Sequence, residues 1–403
     1  MKKKTYPLDI SALAYPLMKT RTAQSVFRYT AVMDKWVDPD ALALSVEDIL
    51  PNYPNFKSKL VCGFFWHKLR ENDAHFPVKR DERPPLRPLR KEDTADYPFR
   101  IAYDKEEIIF EMFHAVADGN VGGYFFSDIL TRYLERTEGE AIGIPERALT
   151  MTDAFLEYGR KLRLRELSVK RYNGKSVYPL GSRGNYEKEP RLLYEEVEVD
   201  GLKKKATEAG VTLTEYVASA YIAAALSEAP LPLRRSLALF IPVDLRRFFP
   251  SDTYQNFICF ERIVIPKGTT DVSLPVILDE VKKQFREKFT KDRLQRSIDD
   301  VVTCFTLPVL AYIPLFVKSP CFRLVKKLMN KVRQTAILSN VGIFRLPPAA
   351  EAHVKSVKLF VNTSRNTPLN VGVMSYAGKL CATITCSLKN TDIPAKFFDL
   401  LRS

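Results

Sequence analysis

Residues that usually announce chemistry are scarce in this chain. Only four histidines and six cysteines occur among its 403 residues. The cysteines (Cys62, Cys259, Cys304, Cys321, Cys381 and Cys386) stand apart in apolar contexts, with no CxxC pair. That spacing excludes a disulfide-stapled scaffold or a zinc framework and predicts reduced, buried thiols in a cytoplasmic protein. With no HExxH and no His/Cys cluster at ligand spacing, no metal is expected. GxxxxGKS is missing, as is a GxGxxG following a strand, so nucleotide hydrolysis and dinucleotide binding have no support. The longest apolar stretch, Cys304 to Val317, is broken by Pro308 and Pro314. It falls short of the ~20 residues that cross a bilayer. The opening MKKKTYPLDI carries lysines without the apolar run of a signal peptide. Internal repeats and low-complexity tracts are also absent.

What is present describes an ordinary soluble composition, 46% hydrophobic and 27% charged. At about 150 residues per domain the length suggests two to three domains. Lys plus Arg outnumber Asp plus Glu by 62 to 48, a net charge of +14. Such a balance favours anionic partners: phosphorylated cofactors, acidic proteins, lipid headgroups or nucleic acid. Nucleic acid drops out, because no recognition loop, zinc finger or RNA-binding aromatic pattern accompanies the charge.

Residues 171–191, RYNGKSVYPLGSRGNYEKEPR, lack periodicity and read as a linker or crossing loop. They divide the chain into an N-terminal lobe, 1–170, and a C-terminal lobe, 192–403. Phe99–Tyr103 and Ile108–Phe113 read as a hairpin across a charged turn. Asn120–Thr137 carries Val121, Phe125, Ile129, Tyr133 and Leu134 at helical spacing. Thr212 and Glu215 form a capping box that opens an Ala-rich helix through Ala229. Strands are expected at Ser236–Val243 and Asn256–Ile265, a helix at Leu274–Lys291, and further strands near Ala336, Val357 and Asn370–Leu388. A short helix from Asp392 closes the pattern. Helices mixed with hairpins and non-adjacent strands predict an α/β fold with mixed sheets in two lobes.

Three histidines (His67, His75 and His353) have unremarkable surroundings. His114 ends an apolar strand in Phe-His-Ala-Val-Ala-Asp-Gly, residues 113–119. A strand end followed by a turn and a helix can hold a side chain at a cleft. Imidazole, with a pKa near about 6.5, can take a proton from an alcohol or amine at neutral pH. Asp118 reads as a loop-orienting carboxylate, and Gly119 as the source of backbone freedom in the turn. A core histidine beside a capping Asp-Gly turn would give the same string.

Two later segments complete a pattern. Pro242-Val-Asp-Leu-Arg246 is followed by Asn256, and Ile337-Leu-Ser-Asn-Val-Gly342 runs from a strand into a small-residue loop. The ordered set resembles the chloramphenicol acetyltransferase and condensation-domain superfamily over residues 10–400. His114-Ala-Val-Ala-Asp118-Gly119 is similar to HHxxxDG, Pro242–Arg246 to the PVDLR segment with its following Asn, and Ser339–Gly342 to the C-terminal channel loop. The alcohol O-acetyltransferase-like branch looks most similar. Phe113 departs from the motif, which has His there; the family assigns catalysis to the second His.

The resemblance implies two chloramphenicol-acetyltransferase-like lobes in a V around a central channel. His114 would be the general base toward a hydroxyl or amine acceptor. The acyl donor would be acyl-CoA or an acyl-carrier thioester, used as co-substrate, with nothing permanently bound. Asp118 would be structural and paired with Arg246, Arg28 being the less favoured partner; Gly119 and Asn256 would organise the site. Ser339, a backbone N–H beside His114, or Asn340 on the channel loop would face the oxyanion or the channel. The chain is expected to act as a monomer, with an acyl carrier protein as a further candidate partner. A carrier-dependent condensation-type enzyme and a non-catalytic two-lobed scaffold are the alternatives. Lastly, Ser319–Arg333 holds Arg323, Lys326, Lys327, Lys331 and Arg333 without an acid. It suggests a peripheral membrane or carrier contact through Arg323–Arg333, against the reading of a solvated helix face.

Overall fold

The computed structural model describes residues 3–19, 24–167, 177–181, 185–328 and 334–403. In chain order, the strands among them are β1 (Thr5–Pro7), β2 (Val26–Met33), β3 (Ser58–Cys62), β4 (His67–Glu71), β5 (Lys79–Arg80), β6 (Phe99–Asp104), β7 (Glu107–Phe113), β8 (Tyr186–Glu198), β9 (Leu237–Asp244), β10 (Ile258–Ile265), β11 (Ala336–Ile343), β12 (Val354–Val361), β13 (Leu369–Tyr376) and β14 (Lys379–Leu388). They form a five-stranded sheet ordered β12-β2-β7-β6-β5, a six-stranded sheet ordered β10-β9-β11-β13-β14-β8, and a small sheet β1-β4-β3. Both large sheets are mixed: β5 runs parallel to β6, and β11 parallel to β9 and β13.

Apolar β2, β6 and β7 are buried nearly throughout. The helix Gly119–Glu138 lays Val121, Phe125, Phe126, Ile129, Leu130 and Leu134 into the same core. Its ends are marked by Asp118, whose carboxylate accepts from the Val121 N–H at 3.2 Å, and by Gly139 at φ +76°. The six-stranded sheet buries the helix Leu213–Leu226, which is apolar all round and buried from Glu215 to its end. Its capping box is formed: the Thr212 N–H donates to Glu215 at 2.6 Å and the Glu215 N–H to Thr212 Oγ1 at 3.3 Å.

The two sheets share chain segments across the midpoint. β12, from the C-terminal half, pairs antiparallel with β2 from Val354–Met33 to Val361–Phe27. The chain then re-enters the six-stranded sheet through β13. Where the sheets touch, the Leu359 carbonyl accepts from the Thr383 hydroxyl and lies 2.1 Å from where a Cβ on residue 372 would sit, so residue 372 is glycine.

Several expectations need correction. Residues 186–191, read as linker, begin β8; residues 171–176 and 182–184 of that region lie outside the described residues. The Ala-rich helix ends at Leu226, not Ala229, and the next at Lys288, not Lys291. A separate helix, Lys291–Phe305, follows. Asn256 lies in the loop before β10, not in the strand. Cys62 and Cys321 are exposed, so not every thiol is a core residue. The basic run falls on the helix Leu315–Leu328 and beyond. Residues 329–333, and the side chains from Arg323 onward in that helix, lie outside what is described. Among the described residues no single helix is long and apolar enough to cross a membrane.

Candidate active site

The end of β7 delivers His114 between the two large sheets. Its backbone N–H donates to the Ser25 carbonyl at 2.8 Å, which fixes where the strand stops. The ring stacks on Tyr15 at 4.9 Å and meets the edge of Phe27 at 5.2 Å. Nδ1 lies 2.9 Å from Asn256 Oδ1. The roles in that contact follow from the far side of the amide. Asn256 Nδ2 donates to Asp9 Oδ2 at 3.0 Å, and the Asn256 backbone N–H donates to the same oxygen at 3.2 Å. Oδ1 of Asn256 therefore faces the histidine as an acceptor, Nδ1 carries the proton, and the Nε2 lone pair is left available.

Asp9 is buried, and its other oxygen accepts from the Ser11 hydroxyl at 2.6 Å and the Ala12 N–H at 2.8 Å. Burial pushes its carboxyl up to about 6, against the lowering effect of these bonds. Burial also holds the His114 imidazole below its ordinary value, outweighing the opposing pull of Asp118 and the bond to Asn256. The ring is thus neutral, as a base must be. No feature of the sequence around Asp9 announced this role; the contact joins residues 247 apart.

Asp118 is fully buried and faces the C-terminal lobe. Arg246 Nη1 donates to Asp118 Oδ2 at 2.7 Å, and the Phe257 N–H donates to that oxygen at 3.0 Å. Burial alone would raise the Asp118 carboxyl, but the Arg246 charge and these bonds hold it below the usual range. Arg246 also binds Asp244 at 3.2 Å and the carbonyls of Thr253 and Gln255 at 3.2 and 2.8 Å. One guanidinium thereby shapes the loop that carries Asn256. A second cross-lobe bond runs from Asn120 Nδ2 to Asp244 at 2.9 Å. Arg28 is elsewhere: with Arg100 it forms a buried cluster on Asp81 and Glu111.

Gly119 is required for a different reason from the one expected. Its φ is not in the left-handed region; instead, a Cβ there would meet Val341 Cγ1 at 2.8 Å. Val341 reaches it because β11 shifts register between Asn340 and Ile343, with Gly342 at φ +77° and its N–H bonded to Asn340 Oδ1 at 2.9 Å. Asn340 Nδ2 donates to Thr214 at 2.9 Å, so both ends of that amide serve the loop. Ser339 lines the cavity beside His114. Phe113, where the motif has His, is buried at the last β7–β2 pair, opposite Val26. It is a packing residue.

His114 opens onto a cavity of about 380 Å³, lined by residues from both large sheets, among them Asp244, Ser339 and Val361. A second cavity of about 790 Å³ shares Tyr15, Met18, Ile258, Phe260, Gln334 and Ile337 with the first. Its wall adds Arg262, Lys288, Arg293 and Arg296 against Glu261 and Asp300, a cationic surplus. Among the described residues no group of three or more His, Cys, Asp or Glu side chains is placed to hold a metal.

By sequence, the chain matches no family profile and no curated protein. Its fold is nevertheless shared with solved structures. Polyketide synthase associated protein 5 from Mycobacterium tuberculosis superposes with a TM-score of 0.62 at 18% identity, over 93% of each chain. Trichothecene 15-O-acetyltransferase TRI3 from Fusarium sporotrichioides gives 0.64 at 12% identity, over 100% of this chain and 94% of that one. A mutant starter condensation domain of rhizomide synthetase RzmA, in complex with C8-CoA, gives 0.63 at 11%, over 99% and 94%. The architecture is the mixed α/β, two-lobed fold of chloramphenicol-acetyltransferase-like proteins.

Proposed function

We propose that this protein is an acyltransferase that moves an acyl group from a thioester, acyl-CoA in first place, to a hydroxyl acceptor. The observation that carries the reading is the Asp9–Asn256–His114 chain, which leaves a neutral imidazole with an unprotonated Nε2 at the wall of a cavity between the lobes. In the reaction, Nε2 takes the acceptor's proton as its oxygen attacks the thioester carbonyl. The tetrahedral oxyanion forms next to a donor, a role assigned to Ser339 among the cavity-lining hydroxyls. Collapse breaks the C–S bond, and the imidazolium returns the proton to the leaving thiolate. Thioesters are already activated, so orientation and one base suffice.

The cationic wall of the second cavity supports a phosphorylated donor. Fold neighbours that are described as an O-acetyltransferase and as a complex with C8-CoA support the same class. A carrier-bound thioester would present a single phosphodiester to the same wall. The deciding experiment incubates the protein with a panel of acyl-CoAs and acyl-carrier thioesters plus alcohols and amines, following thiol release and product mass. Transfer from CoA to an alcohol is expected. Transfer from carrier thioesters alone would make this a condensation-type enzyme. No transfer from either donor would return the fold to a scaffold role.

A further inference from the structure

The β3–β4 hairpin and the chain from Thr306 to Val317 meet in a patch of core-like composition that faces outward. Phe64, at the hairpin tip, is 67% exposed, and Tyr312 and Phe316 are each 73% exposed. Phe65, Val309 and Val317 are exposed with them. The helix Pro308–Tyr312 is wholly apolar or aromatic, yet buries no residue. Contiguity is direct: Phe64 and Phe65 meet edge to face at 4.8 Å, Phe65 and Tyr312 at 6.1 Å.

The exposure does not come from a loose segment. The Leu315 N–H donates to the Phe64 carbonyl at 2.8 Å. Lys318, buried, places Nζ 3.1 Å from the centroid of the Trp66 ring and donates to the Phe65 carbonyl at 2.9 Å. These contacts clamp the hairpin tip to the helix Leu315–Leu328.

Contiguous apolar surface of this kind marks an interaction site, and the charge around it selects the partner. β4 exposes Lys68 and Arg70 behind the hairpin tip. In the sequence no acid stands between Asp48 and Glu71, nor between Asp300 and Glu351. An aromatic tip flanked by Lys68 and Arg70, on two segments without acids, complements a surface that is apolar beneath and negative at its edge, which is an anionic bilayer.

We propose that Phe64, Phe65, Val309, Tyr312, Phe316 and Val317 form a docking patch that inserts shallowly into an anionic lipid surface, with flanking cations at the headgroups. The helix Leu315–Leu328 packs against the helix Ala14–Met18, whose Tyr15 and Met18 line both cavities of the candidate active site. Docking therefore brings that site within one helix of the bilayer. Binding is measured without turnover, so this inference stands or falls separately from acyl transfer.

The test is co-sedimentation with vesicles of phosphatidylcholine alone and of phosphatidylcholine with phosphatidylglycerol. Binding is expected only to the anionic vesicles, weakening as salt rises. Replacing Phe64, Tyr312 and Phe316 by Ser should weaken it at least about tenfold, given the apolar surface removed. Lys68→Gln with Arg70→Gln should cost roughly fivefold per charge. The replaced aromatics are exposed, so thermal unfolding by circular dichroism should match wild type; if the triple variant unfolds early, Phe316→Ser alone is read in its place. No binding to anionic vesicles would overturn the proposal, as would equal binding by the aromatic variant. A dimer in light scattering that the aromatic variant abolishes would assign the patch to a second copy and overturn it too.

Discussion

Asn256 faces His114 with its oxygen because Asp9 holds its nitrogen. An amide can be turned over at little local cost, and the turned amide would offer an N–H to Nδ1, moving the imidazole proton to Nε2. The buried carboxylate prevents that turn. Asp9 is thus a positioning residue: it touches no substrate, but it selects the tautomer in which His114 is a base toward the cavity.

Asp9→Ala should therefore lower kcat far more than KM. In Ser-His-Asp enzymes, loss of the group that fixes the tautomer costs about 10⁴-fold. Here a bridging amide remains and retains part of the orientation, so the loss should lie between about tenfold and that limit. Nitrogen-15 shifts of the histidine ring would report the tautomer directly. A variant with reduced stability but an unchanged tautomer and an unchanged kcat would show that Asp9 is structural only.

His114→Ala should abolish the base while leaving the fold, since the ring is half-buried and its ring contacts among the described residues are Tyr15 and Phe27. General-base catalysis contributes typically about 10²- to 10⁴-fold, and turnover measured by thiol release should drop by that factor. A folded variant that keeps more than a third of wild-type turnover would remove His114 from the mechanism.

Much of this geometry was legible in the sequence where local physics decides. The hairpin ending at Phe113, the helix after Asp118 and the capping box at Thr212 rest on short-range periodicity and side-chain-to-backbone bonds, and their bounds are close to those expected. The positions of Asp118 and Arg246 came from motif order rather than from periodicity. Asp9 was not legible, because its function arises from contact with a loop 247 residues away and leaves no local pattern. The exchange of β12 into the N-terminal sheet was hidden for the same reason: pairing partners are a tertiary property. The tip of β3–β4 was missed because strands this short alternate too briefly to stand out, and the aromatic residues fall in the turn between them.

Asp118 and Arg246 form a buried, cross-lobe ion pair; without Arg246 the Asp118 carboxylate is a stranded charge, whereas without Asp118 the guanidinium still has Asp244. Arg246→Ala should destabilise by roughly 3–5 kcal/mol, and Asp118→Ala by less. The double variant should be less destabilised than the sum of the two, because the second substitution removes the charge that the first left unpaired. Urea unfolding of the four proteins measures this coupling. Strict additivity would mean that the contact contributes nothing as a pair. Arg246 also organises the Asn256 loop through Thr253 and Gln255, so Arg246→Ala should carry a kcat loss beyond that of Asp118→Ala.

Asp9 and Asp118 should give stability opposite dependences on pH. The Asp118 carboxyl is held below its usual range, so its contribution is present above the unfolded value of about 3.9 and is lost as pH falls through the lower folded value. Asp9 is raised to about 6. The folded protein then binds a proton at Asp9 that the unfolded chain has released, and the contribution is full below about 3.9 and disappears as pH rises through about 6. Raising the carboxyl from about 3.9 to about 6 corresponds to roughly 3 kcal/mol. Asp9→Asn cannot titrate. The stability difference between wild type and Asp9→Asn should accordingly shrink by about that amount from pH 4 to pH 7 in urea unfolding. A difference that stays constant across this range would mean that Asp9 is not raised. One that grows with pH would reverse the sign of its shift and make Asp9 a charged partner of the site at low pH.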